Sequence, residues 1–232
     1  LPRFRACVDH PVLWSGLVVV TALGITVGLA GEPPVEILEI PPEEIVRWDE
    51  HSFNGSTVYD LVEVDGRKAV HAICEDGTAS GLFYRGGIDL TETPILEWSW
   101  RVDDTLEDVD ETHRQGDDFA ARIYLVEDRR LLPWRARALN YVWANEKPRG
   151  SEWVNPHTSR VRMVAVRSGP PEEPGTWRTE RRNVRLDFRE LHDRNVSHLQ
   201  AVAIMTDCDD TGERLEGWYG SLRFLSSFEV SR

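Results

Sequence analysis

"ILEWSWRV", residues 95–102, alternates strictly: Leu96, Trp98, Trp100 and Val102 fall on one side of an extended chain, and Glu97, Ser99 and Arg101 on the other. Period-two patterning marks this segment as a strand with one apolar and one polar face. The same rule applied to "GDDFAARIYL", residues 116–125, sends Phe119, Ala121, Ile123 and Leu125 inward and leaves Asp118, Ala120, Arg122 and Tyr124 on the opposite side. Those charges then belong to the second face of a sheet. None has to enter the core, where an unpaired charge would cost several kcal/mol.

Runs of this kind recur along the chain, at Tyr59–Val64, Lys68–Cys74, Gly81–Ile88, Ile95–Val102, Ala120–Val126, Ala138–Trp143, Arg160–Arg167, Trp177–Asn183, Gln200–Thr206 and Gly217–Phe224. Asp65-Gly66 is a hairpin signal between the first two. Gly169 to Gly175, with Pro170, Pro171 and Pro174, reads as a surface loop. The only helical pattern is short, from Asp187 to Asp193, with Asp187 placed to cap it. About ten strands with almost no helix predict an all-β fold: a two-sheet antiparallel β-sandwich of the jelly-roll type.

The chain has 232 residues, 41% of them hydrophobic, enough to build one sandwich domain, expected over residues 48–232 behind a Pro-rich linker at 32–47. Residues 1–31 read as a signal peptide or membrane anchor: Arg3 and Arg5 precede an uncharged apolar stretch from Pro11 to Ala30. That stretch is long enough to span a bilayer, while the small residues around Ala30 suit cleavage there. Either outcome exports the domain to a periplasmic or extracellular location, with membrane contact only through residues 11–30 if they are retained. Forty acidic residues against 27 basic ones give a net charge of −13, which argues against nucleic acid as a partner. Only Lys68 and Lys147 are lysines, so the basic set is almost wholly arginine.

In the late strands, Ala203, Met205 and Asp207 fall on one side of one run, and Tyr219, Ser221 and Arg223 on one side of the next. If these strands are neighbours, one polar face gathers Glu97, Arg101, Asp118, Arg122, Tyr124, Asp207, Tyr219 and Arg223, with Tyr141 as a further aromatic. Arginine forks and tyrosine plates in this combination resemble a sugar-binding surface. The same residues would also build an ion-pair lattice over a sheet, the plainer reading, because structural arginine networks look like sites too. Glu97, Asp118 and Asp207 are the carboxylates available for glycoside hydrolysis, but neighbouring guanidinium groups lower carboxyl pKa values and disfavour a general acid.

"TDCDDTG", residues 206–212, sets Asp207, Asp209 and Asp210 close together, and calcium is the one cofactor this oxygen-rich loop would suit. Its spacing departs from an EF-hand, since Trp218 stands where the bidentate glutamate belongs, and a solvated acidic turn is the better explanation. The other acidic run, residues 103–118, holds His113 beside Asp110, Glu111 and Asp117 and reads as an exposed connection. Zinc, nucleophile-elbow, P-loop and dinucleotide motifs are all missing from the sequence. Cys7 precedes the apolar stretch, which leaves Cys74 and Cys208 either bridged or buried as separate thiols.

From about residue 48 to 225 the chain resembles the exported bacterial family known as domain of unknown function 3047. The shared words are Glu97-Trp98-Ser99-Trp100-Arg101, Gly116 to Arg122, Ala138-Leu139-Asn140-Tyr141-Val142-Trp143, Val164 to Gly169, Glu180-Arg181-Arg182-Asn183-Val184 and Met205-Thr206-Asp207. The resemblance implies an exported sandwich like the galactose-binding and carbohydrate-binding jelly rolls, and carries no assigned activity. Cys74 and Cys208 both depart from the family pattern, a joint departure that favours a bridge. The expected function is a non-catalytic binding module for envelope or extracellular glycan. The alternatives are a polysaccharide-active hydrolase or lyase on the same scaffold, or an envelope assembly protein with a protein partner.

Overall fold

A computed structural model describes residues 37–129 and 135–226. The segment read as a signal or anchor lies outside the described residues, among which no helix is long and apolar enough to cross a membrane.

Among the described residues, fourteen strands form two sheets: β1 (Ile37–Ile40), β2 (Asp49–Asn54), β3 (Val58–Val64), β4 (Arg67–Cys74), β5 (Ala79–Tyr84), β6 (Ile88–Asp89), β7 (Ile95–Arg101), β8 (Arg122–Glu127), β9 (Ala138–Ala144), β10 (Glu152–Val154), β11 (Val161–Ser168), β12 (Arg178–Asn183), β13 (His198–Asp207) and β14 (Leu215–Leu225). The first sheet runs β12-β7-β14-β4-β3, with β1 also on β14. The second runs β10-β11-β9-β8-β13-β5-β2, with β6 also on β13. This is the expected two-sheet sandwich. It is antiparallel except between β9 and β11, which run parallel.

The alternation of β7 holds: Leu96, Trp98 and Trp100 are fully buried between the sheets, while Glu97, Ser99 and Arg101 face outward. Trp98 meets Trp100 edge-on at 5.2 Å and stacks on Tyr141 of the opposite sheet at 5.5 Å. Burying such a ring stabilises the fold by about 2–3 kcal/mol. Glycines let the layers close up. A Cβ on Gly217 would stand 2.2 Å from the carbonyl oxygen of Ala120, in the segment that leads into β8, so no side chain fits there.

Three expectations change. Residues 37–47 are not the end of a linker but part of the sandwich, since β1 pairs with β14 and the helix α1 (Pro42–Ile45) buries Ile45 completely. The second helix, α2, spans Val184–His192 and is capped by Asn183, whose side chain accepts from Leu186 N. Asp187 is instead buried inside its first turn, accepting from Tyr141 Oη and from both arms of Arg182. Phe119 does not enter the main core. β8 begins only at Arg122, so strand alternation does not reach residue 119. Its ring joins a second apolar cluster with Val142, Ala144, Met163 and Ala165 on the outer side of the second sheet.

Candidate functional site

The sequence-predicted polar residues do not share one face. Glu97, Arg101 and Arg223 stand on the outer side of the first sheet, whereas Arg122, Tyr124 and Asp207 stand on the outer side of the second. Local alternation assigns inside and outside but cannot say to which sheet a strand belongs. Tyr219 and Arg223, expected side by side, point opposite ways. The register of β14 against β7 shifts between Tyr219 and Leu222, and the extra residue reverses the facing of everything after it. Tyr219 is therefore buried between the sheets, where its hydroxyl bonds Met205 O at 2.6 Å and Thr206 Oγ1 at 2.9 Å. Tyr141 is equally internal.

On the first sheet the outward charges satisfy one another. Glu97 accepts from Arg181 at 3.1 Å through Nε and from Arg223; burial raises its carboxyl, but these arginines outweigh that and hold it below the ordinary value. Arg101 binds Asp103 with Nε at 2.7 Å and lies 4.6 Å over Trp218, which stacks on His71. This face is the ion-pair lattice.

The second sheet is different. Alternate residues of β8, Arg122 and Tyr124, adjoin Met205 and Ala203 of β13 in register. Two loops fold over them. In one, Asn155-Pro156 starts a tight turn in which Asn155 Oδ1 accepts from the amides of His157 and Thr158, both at 3.1 Å, and so presents the imidazole. The other follows β13: Asp118 accepts from the amides of Asp210 at 3.2 Å and Thr211 at 2.6 Å, pinning the acidic loop to the start of β8. Asp118 is thus fully buried and structural, with its acceptors engaged. Just before that loop, Cys208 is bonded to Cys74 of β4, Cα–Cα 5.9 Å, tying the two sheets together.

Between these loops lies a pocket of about 210 Å³, lined by Phe53, Asp117, Arg122, Tyr124, His157, Met205, Asp207, Asp209 and Asp210 among others. Arg122 is its floor. The side chain is 4% exposed, donates from Nη2 to Asp207 Oδ2, and lies against the rings of Phe119 and Tyr124 at 5.5 and 5.3 Å. Its Nη1 stands 3.9 Å from Asp117 Oδ2. Neither Nη1 nor Nε has a hydrogen-bond partner. Asp117 accepts from Asn155 Nδ2 at 2.7 Å through Oδ2, while its buried Oδ1 is unpartnered. Burial pushes its carboxyl up to about 6, against the opposing pull of Arg122. At the rim stands Phe53 of β2, 57% exposed.

Residues 46–223 match one protein family along most of the sandwich. The chain belongs to the family described as Protein of unknown function (DUF3047). Among curated proteins, none matches the chain. Solved structures similar to this DUF3047 domain include the glycoside hydrolase domain of Endo-D from Streptococcus pneumoniae R6, at 10% identity over 78% of this chain and 22% of that one, TM-score 0.39. The family 11 carbohydrate-binding module of a Clostridium thermocellum cellulosomal cellulase shares 8% identity over 84% of this chain and 97% of that one, TM-score 0.43. A cellulase derived from Cel12A of Rhodothermus marinus shares 11% over 82% and 98%, TM-score 0.38.

The sequence reading reached Arg122, Tyr124 and Asp207 but missed Asp117, Asn155, His157 and Phe53 as site residues. Asn155-Pro156 was the available signal for a turn that could carry a functional side chain. Phe53 sits in a strand, "DEHSFN", that is exposed throughout and shows no apolar alternation.

Proposed function

We propose that this chain is an exported, non-catalytic glycan-binding module whose site is the Arg122 pocket on the outer face of the second sheet. One observation carries the reading: a buried guanidinium lines a pocket with two nitrogens, Nε and Nη1, that make no hydrogen bond. Buried donors are satisfied in the great majority of folded proteins, so such a pair marks a place for an acceptor from outside.

The surrounding chemistry narrows that acceptor. Four carboxylates, Asp117, Asp207, Asp209 and Asp210, line the pocket against one guanidinium, which repels anions. A neutral hydroxyl both accepts and donates, and so serves Arg122 and a carboxylate together. Tyr124 and exposed Phe53 supply apolar ring faces, and the volume is below the ~300–1,000 Å³ of drug-sized sites, which suits one sugar ring of a longer chain. The Cys74–Cys208 bond supports export, because such bonds persist in oxidising compartments.

Binding of the full chain to a glycan array, with affinity electrophoresis on soluble polysaccharides, tests the reading. Phe53→Ala and Arg122→Lys should each weaken retention at least fivefold, while Arg101→Ala, on the opposite face, should bind as the parent does. Equal binding by all four proteins would refute it.

A second reading has one observation in its favour. Asp117, with its carboxyl pushed up to about 6, suits a general acid near neutrality, and an oxygen of Asp210 lies within 4.8 Å of it. Polysaccharide turnover that disappears in Asp117→Asn would establish hydrolysis instead. Glu97 and Asp118 are not available for that chemistry, being held by arginines and by backbone amides respectively.

A further inference from the structure

We propose that Asp117, His157 and Asp210 form a seat for one divalent transition-metal ion, of the zinc or manganese class, at the mouth of the Arg122 pocket. One ligand atom from each residue lies within 4.8 Å of the others. His157 Nε2 stands 3.0 Å from Asp210 Oδ2 and 3.7 Å from Asp117 Oδ2. Donors around a tetrahedral ion bound at about 2.1 Å are separated by about 3.4 Å, between those two values. The imidazole nitrogen bonds Asp210 Oδ2 and faces Asp117 Oδ2, and an ion would bind among the three.

A second observation, separate from the grouping of acids, points the same way. Asp117 is 4% exposed, lines the pocket and has its Oδ1 without a partner. A buried carboxylate oxygen left open asks for a cation or a donor. Arg122 does not supply it, because its hydrogen bond goes to Asp207 and it meets Asp117 only at 3.9 Å through the other oxygen. The loop is already shaped for ligation: the Asn155 turn sets the imidazole, and the amide contacts of Asp118 set the Asp210 segment.

The donor set decides the class of ion. Calcium takes six to eight oxygens, and an imidazole nitrogen does not serve it, whereas nitrogen with carboxylate oxygens suits zinc and manganese. The sequence-derived calcium set of Asp207, Asp209 and Asp210 lines the same pocket, but both Asp207 oxygens are taken, by Arg122 and by Phe119 N. A competing triad, Asp118, Asp209 and Asp210, meets the same distance limit, but both Asp118 oxygens already accept backbone amides.

The ion's ligands also line the sugar pocket, but its test uses the metal alone, so either claim can fail without the other. Isothermal titration of the chelator-stripped full chain with Zn²⁺, Mn²⁺ and Ca²⁺ in turn tests the ion. One equivalent of Zn²⁺ or Mn²⁺ is expected, with affinity at least tenfold lower in His157→Ala and unchanged in His113→Ala, whose exposed imidazole pairs with Asp110. His157 is 43% exposed, so its replacement leaves the fold intact; an unfolding midpoint that rises with the ion in the parent and not in the variant is the second readout. No binding, binding that survives His157→Ala, or tighter binding of Ca²⁺ that is lost in Asp209→Asn would overturn the proposal.

Discussion

Breaking the bond between Cys74 and Cys208 should bring this protein close to its unfolding limit. The bond closes a loop with a sequence separation of 134, for which the chain-entropy relation gives about 17 cal/mol/K, or about 5 kcal/mol at 25 °C. Both cysteines are fully buried and join β4 of one sheet to the residue after β13 of the other, so the constraint acts across the sandwich rather than within a hairpin. Whole domains are stable by only about 5–15 kcal/mol. The assay is equilibrium urea unfolding of the full chain with and without a phosphine reductant, followed by tryptophan fluorescence. With a slope of about 2 kcal/mol/M, the midpoint should fall by about 2.5 M. A fall of less than about 0.5 M would show that the loop is already restrained in the unfolded chain, and the reasoning from sequence separation would be wrong.

Arg122→Met should cost about 3–5 kcal/mol in the same assay, because it strands the buried Asp207 carboxylate; a change below about 1 kcal/mol would deny the pairing its structural role. Gly217→Ala should lose about 1–3 kcal/mol, since its new methyl meets the Ala120 carbonyl just ahead of β8, and an unchanged midpoint would contradict that close approach. Burial holds the His192 imidazole below its ordinary value while its ring bonds Ala138 O at 2.9 Å. The unfolded chain then binds more protons just below pH 6.5, so stability is lost as pH falls through that window; His192→Gln, which keeps a donor, should flatten the slope between pH 7 and 5.

How much of this was legible beforehand differs between fold and site. β7 could be read residue by residue, because Trp98 and Trp100 are buried and Glu97 and Arg101 are not, and period two is all that such a strand needs. β1 and β2 could not: one has four residues, too few to show a period, and the other is exposed along its whole length. The site was half legible. Arg122 and Tyr124 share a face by parity, and that inference survived, but adding Arg101 and Arg223 to them required knowing sheet membership, which is a long-range property. The shift between Tyr219 and Leu222 is likewise invisible in "WYGSLRF", because Gly220 reads as any strand glycine until its neighbour is known; a Cβ there would stand 2.1 Å from Ser99 Oγ. His157 belongs to a loop whose partners Asp117 and Asp210 are distant in sequence, Asp210 by 53 residues.

The central claim is that ligand recognition belongs to the second sheet's outer face and not to the ion-pair lattice on the first. Amide and side-chain chemical-shift mapping of the labelled protein, titrated with an oligosaccharide that it retains, tests this most directly. The account predicts shifts confined to Phe53, Asp117, Arg122, Tyr124 and His157 and their neighbours. Shifts centred on Glu97, Arg101 and Arg223 would contradict it.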